Sequence, residues 1–81
     1  MARATSFEEL CEDYGWTYRQ LADKEEGAGV SRSTLYGFSE PGRAPVQVTT
    51  ILAIAYAMGL HRDEVEEAIS ESRRRAEAGE E

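Results

Sequence analysis

The segment Gly29-Val30-Ser31-Arg32-Ser33-Thr34-Leu35-Tyr36-Gly37-Phe38 constrains the fold more than any other stretch of the chain. A glycine closes a turn, an apolar residue follows, and Ser31 stands where a helix N-cap accepts a backbone N–H. A helix begun there buries Leu35 and Phe38 on one face and leaves Arg32, Ser33 and Tyr36 outside. Just upstream, Thr17-Tyr18-Arg19-Gln20 has the form of a capping box and starts another short helix, in which Leu21 and Ala22 face inward. Two short helices joined by a turn are therefore expected at the centre of the chain.

The flanking segments extend the same pattern. Ser6-Phe7-Glu8-Glu9 is a further capping box, and its helix carries the apolar spacing Phe7, Leu10, Cys11, Tyr14 before Gly15 ends it. Trp16, just before the second helix, reads as core or hinge packing. Lys24-Glu25-Glu26-Gly27-Ala28-Gly29 breaks the second helix, and Glu40-Pro41-Gly42-Arg43-Ala44-Pro45 is the clearest loop. A fourth helix is expected from Val48 to Met58, stopped by Gly59, with Val48, Ile51, Leu52, Ala55 and Met58 on its buried face and Ile54 widening it. A fifth begins near His61 or Arg62. Its stripe of Val65, Ala68, Ile69 and Ser72 is narrow, which leaves it little to bury and suggests a contact between two copies. The expected class is all-α, with five helices.

At 81 residues there is room for one domain, which is marginally stable alone. The longest apolar run, Ile51 to Leu60, is too short to span a bilayer, and the first residues hold no apolar signal region, so a cytoplasmic protein is expected. A lone cysteine, Cys11, excludes an internal disulfide framework and falls on an apolar stripe, where it is expected to be buried and inert. One histidine, His61, sits at a helix start, and no nucleophile–base set, metal-ligand spacing or phosphate-binding glycine motif accompanies it. Neither an enzyme nor a bound cofactor or metal is expected.

The net charge of −7 argues against indiscriminate nucleic-acid binding, because phosphate neutralisation supplies most of that affinity. Its distribution is uneven. Between Thr17 and Pro45 the basic residues Arg19, Lys24, Arg32 and Arg43 balance Asp23, Glu25, Glu26 and Glu40, so the whole deficit lies in the flanking segments.

In this order and spacing, the residues resemble the Xre, or lambda-repressor-like, helix-turn-helix family of small prokaryotic and phage regulators. The likeness runs from about Phe7 to Ile69. Thr17 to Ala22 is similar to the first motif helix, Gly29-Val30-Ser31 to the turn and recognition-helix cap, and Leu35 and Phe38 to that helix's buried positions. Gly42-Arg43-Ala44-Pro45 resembles the connecting loop, Ala57-Met58-Gly59-Leu60 the end of the fourth helix, and Asp63-Glu64-Val65 the start of the fifth. The departures are an approach from Asp23 to Ala28 longer than the family usual, Tyr18 where a phosphate-touching glutamine is frequent, and Ser39 where a glutamate often sits. Gly37 stands at a later base-reading position, where it leaves a gap in the reading surface.

Residues 1–5 are expected as a disordered N-terminus and 73–81, from their charge, as a helix end that frays; the resemblance implies the helix-turn-helix domain between them, 6–72. It implies a sequence-specific regulator of double-stranded DNA, with the helix of about residues 31–39 in the major groove. Arg32, Ser33 and Tyr36 are the candidates for base readout, Arg32 through guanine O6 and N7. Tyr36 has two further readings, a contact to phosphate and packing against the Glu25–Ala28 loop. Candidate phosphate contacts are Thr17, Tyr18, Arg19 and Arg43, with Ser31 and Thr34 structural first and phosphate-touching at most. Arg73-Arg74-Arg75, flanked by Glu71 and Glu77, reads as a solvated, salt-bridged helix end. A homodimer meeting through Val65, Ala68, Ile69 and Ser72 on a near-palindromic site completes that reading. The alternative is a protein-binding module on the same fold, an antitoxin or polymerase modulator for example, whose acidic surface engages a basic partner.

Overall fold

A computed structural model describes residues 5–40, 42 and 45–79. In chain order its helices are α1 (Phe7–Asp13), α2 (Tyr18–Ala22), α3 (Arg32–Gly37), α4 (Val48–Met58) and α5 (Arg62–Glu77), and no strand occurs among the described residues. The all-α class expected from the sequence is the class observed. No described helix is long and apolar enough to cross a membrane.

Local hydrogen bonding explains where the helices start and stop. Ser6 Oγ accepts the Glu9 N–H while the Glu9 carboxylate accepts the Ser6 N–H, and Thr17 and Gln20 reciprocate in the same way. At the end of α1, Gly15 takes φ +73° and the Trp16 N–H reaches back to the Cys11 carbonyl at 2.8 Å. Gly59 does the same after α4, at φ +71°, with the Leu60 N–H on the Ala55 carbonyl at 2.9 Å. Both are left-handed glycine stops that bond an otherwise orphaned carbonyl. His61 caps α5, its Nδ1 accepting the Asp63 N–H.

The core is built around Phe7. Its ring meets Phe38 edge-on at 5.1 Å and leans on Tyr18 at 5.9 Å, and its backbone N–H donates to the buried Ser72 Oγ at 2.8 Å. That last bond ties the start of α1 to the far end of α5. Leu10, Cys11, Leu21, Leu35, Ile54 and Val65 close around the rings. α5 packs on both α1 and α4, while α2 packs on α3.

Three expectations are corrected here. Val48 and Leu52 were placed on the buried face of α4, yet they are 57% and 45% exposed; the other members of that face, Ile51, Ile54, Ala55 and Met58, are buried as expected. The supposed dimer stripe of Val65, Ala68, Ile69 and Ser72 is buried within the chain's own core, since α5 lies between α1 and α4 and a narrow stripe suffices to fill that space. Of the four, Ile69 is the one that lines a surface groove, the one between α4 and α5. The charged helix end from residue 73 does not fray at once: α5 continues to Glu77, and Arg75, 6% exposed rather than solvated, bridges Glu71 at 2.7 Å and Glu9 of α1 at 2.8 Å. Arg74 grips the same Glu71 carboxylate with two bonds.

This ion cluster makes stability acid-sensitive. Hydrogen bonds from Arg74 and Arg75 hold the Glu71 carboxyl down to about 2, against an ordinary 4.5. The Ser6 N–H, followed by Arg75, also lowers Glu9. A carboxyl with a depressed folded pKa stabilises the fold above its unfolded pKa, and that contribution disappears as pH falls through the folded value. Glu71→Gln is therefore expected to melt below the native protein at neutral pH. The gap should narrow between pH 4.5 and about 2, as followed by circular dichroism melts across that range.

Candidate nucleic-acid interface

Between α2 and α3 the chain has to turn and present a capped helix. The long Asp23–Ala28 approach does this without lengthening α2. Asp23 Oδ1 accepts the N–H groups of Glu25 and Glu26 at 2.8 and 3.0 Å, bonds that hold its carboxyl below the usual range. The chain then doubles back. Gly27 N–H bonds the Asp23 carbonyl, and the N–H groups of Ala28 and Gly29 both reach the Leu21 carbonyl, at 2.8 and 3.1 Å. The extra residues thus form a folded turn over the last carbonyls of α2. Gly29, at φ +68°, releases the chain into Val30, which packs on the core, and Ser31 caps α3.

α3 is held from beneath by Leu35 and Phe38, both almost fully buried, and its Arg32, Ser33, Thr34 and Tyr36 are exposed. Arg32, Ser33 and Tyr36 therefore share the outer side of one short helix. The Tyr36 ring sits edge-on to Tyr18 at 5.0 Å, and Tyr18 in turn rests on Phe7. An aromatic chain Phe38–Phe7–Tyr18–Tyr36 thus runs from the core to the surface and fixes α3 against α2. Tyr18, half-buried between the Phe7 and Tyr36 rings, is a strut of that chain.

The remaining candidates divide. Thr17 and Arg19 are exposed on α2 and its cap. Ser31 Oγ accepts the Thr34 N–H and is bonded to the Thr34 hydroxyl at 2.9 Å, so both hydroxyls already serve the cap. Arg43 lies outside the described residues. Gly37 is buried rather than exposed, so it is no gap in an outward-facing surface; it lines a cleft of about 360 Å³ between α3 and the start of α4.

That cleft brings in residues that sequence reasoning missed. Gln47 and Thr50 of the α4 start and Arg73 of α5 stand beside Ser33 and Thr34, and no carboxylate lines the cleft among the described residues. No local signal links position 73 to position 33. Packing of α5 across α4 is what brings them together.

The rest of the molecule offers little chemistry. No group of three or more metal-ligating side chains occurs among the described residues. Burial, reinforced by Glu8 and Glu12, pushes the Cys11 thiol up to about 12. Buried and protonated, Cys11 presents no thiolate to solvent at neutral pH. Among known proteins, no family model, no curated protein and no solved structure matches this chain.

Proposed function

We propose that the protein is a sequence-specific double-stranded DNA-binding regulator of the repressor type, with α3 in the major groove. The observation that carries this reading is the orientation of α3. Leu35 and Phe38 anchor it, while Arg32, Ser33 and Tyr36 point away from the core on a helix braced by its neighbour. Arg32 pairs with a guanine edge, Ser33 and Tyr36 read or brace beside it, and Thr17, Arg19 and Arg43 hold phosphates. Two copies would place their reading helices about 34 Å apart on a near-palindromic site. The protein would act in the cytoplasm, on the nucleoid when bound.

A second reading has its own support. Exposed carboxylates at Glu8, Glu12 and Asp13 of α1 and Glu64, Glu66 and Glu67 of α5 give the molecule acidic flanks, which suit a basic protein partner.

Retention of genomic fragments at low and at physiological salt separates the two. Under the DNA reading a subset of fragments is retained, and Arg32→Ala lowers preference for them by about 5- to 150-fold, the equivalent of ~1–3 kcal/mol for one bidentate base contact. If no fragment is retained even at low salt, the DNA reading fails. Unchanged site preference in the variant removes Arg32 from the reading surface and leaves the class standing.

A further inference from the structure

The cleft between α3, the start of α4 and α5 has no part in the reading above. Among the described residues that line it, Arg73 is the only charged one; around it stand the hydroxyls of Ser33, Thr34 and Thr50 and the amide of Gln47. In a chain of net charge −7, a cleft with a cation and no carboxylate reverses the local sign. The neighbouring arginines are committed elsewhere. Arg74 and Arg75 both bond the Glu71 carboxylate, and Arg75 bridges Glu9 as well, so those two charges are matched inside the fold.

The cleft also lies on the correct side of α3. Tyr36 leans on Tyr18 of α2, whereas Ser33 and Gly37 border the cleft, so α2 and the cleft flank the reading helix on opposite sides. A helix in the major groove runs between two phosphate strands about 12 Å apart. Thr17 and Arg19 stand exposed on the α2 side. The second strand passes on the side of the cleft.

We propose that the cleft seats a DNA backbone phosphate of that second strand, with Arg73 as its cation and Gln47 and Thr50 as hydrogen-bond donors. The inference rests on the DNA reading of α3. It adds a contact from beyond the segment, about Phe7 to Ile69, that carries the family resemblance. The start of α4 suits the same ligand. The N-caps of α1, α2, α3 and α5 each accept a backbone N–H through a side chain, whereas Gln47 at the N-cap of α4 makes no such bond. The first turn of α4 therefore keeps N–H groups without a side-chain acceptor, at the positive end of the helix dipole. Arg73 and this turn bring positive potential to one cleft from two separate elements, and Ser33 joins that cleft to the reading face.

Fluorescence anisotropy of the full chain on a retained genomic fragment, from about 50 to 200 mM salt, tests this. Arg73→Gln should weaken binding about 10-fold, as loss of a hydrogen bond to a charged group does. It should flatten the slope of log affinity against log salt by ~0.9, the share of one phosphate on B-DNA. Preference for the fragment over unrelated DNA should stay as in the native protein, since a phosphate carries no sequence. Arg73→Lys, which keeps the charge, should keep the slope. Gln47→Asp separates a phosphate seat from a packing role. Aspartate is a good N-cap, so its melting temperature should hold or rise, while its carboxylate repels the phosphate and binding should fall as far as in Arg73→Gln. This second variant decides the matter if Arg73→Gln melts early. A native salt slope in Arg73→Gln, or a folded Gln47→Asp that binds like the native protein, overturns the inference and leaves the DNA reading standing. Loss of site preference together with affinity in Arg73→Gln makes Arg73 a strut of α3 and overturns it too. If the native protein retains no fragment at any salt, the inference falls together with the DNA reading.

Discussion

Replacing Gly27 with alanine is expected to destabilise the protein by about 3 kcal/mol, the upper end of what forced overpacking costs. The reason is the turn after α2. Gly27 lies so close to the end of that helix that a Cβ would meet Leu21 Cα at 2.7 Å and press on the Gln20 carbonyl as well. These are backbone atoms, which cannot swing aside. The turn would have to open, breaking the bonds from Gly27 to Asp23 and from Ala28 and Gly29 to Leu21. Gly29 gives the contrast. A Cβ there meets Lys24 Cγ at an ordinary 3.6 Å, and only its positive φ is unfavourable. Gly29→Ala should therefore cost roughly 1–2 kcal/mol, the ordinary penalty for a left-handed residue. Urea unfolding of the two variants measures the difference, and equal losses would show that close packing at Gly27 is unimportant. Since this turn sets where α3 leaves α2, the Gly27 variant should also lose DNA retention under conditions where its far-ultraviolet circular dichroism is still helical.

Phe7→Ala should be the most damaging substitution in the core. Phe7 is fully buried, touches the Phe38 and Tyr18 rings, and lends its N–H to Ser72. Truncating a buried phenylalanine costs about 3–5 kcal/mol. A domain of this length has a total stability of only about 4–12 kcal/mol, so a large share of it would go. The melting temperature is expected to fall by more than ~15 °C. The loss should reach function through Tyr18 and Tyr36, which brace α3 on the Phe7 ring. A variant that melts within a few degrees of native would contradict this account of the core.

What could be read directly from the residues was local. Ser6 with Glu9, Thr17 with Gln20, Ser31 and Gly59 each act on backbone groups within a few positions, so their effect is written in adjacent letters. The buried anchors Leu35 and Phe38 were legible for a related reason, since three-residue spacing on a capped helix defines a face without reference to anything else. From those elements follow the all-α class, the helix limits and the outward side of α3 with Arg32, Ser33 and Tyr36 on it.

The errors came where a residue's surroundings lie far away in the chain. On α4, Leu52 and Ile54 are equally apolar, and only the positions of α1 and α5 decide that Ile54 is buried and Leu52 is not. The same neighbours turn the weak α5 stripe from an apparent interface into core, completed by Ser72 on the Phe7 N–H. They also turn Arg75 from a tail residue into a buried bridge to Glu9. Gly37 faces a cleft that exists only because the start of α4 and Arg73 of α5 come to lie beside α3. Through short-range hydrogen bonds and helical spacing, then, the sequence by itself determined which segments are helical and which side of α3 looks outward. Which apolar faces are covered, which charges are buried and which surface is left for a partner were decided only by tertiary structure, because burial depends on whatever distant segment happens to pack alongside.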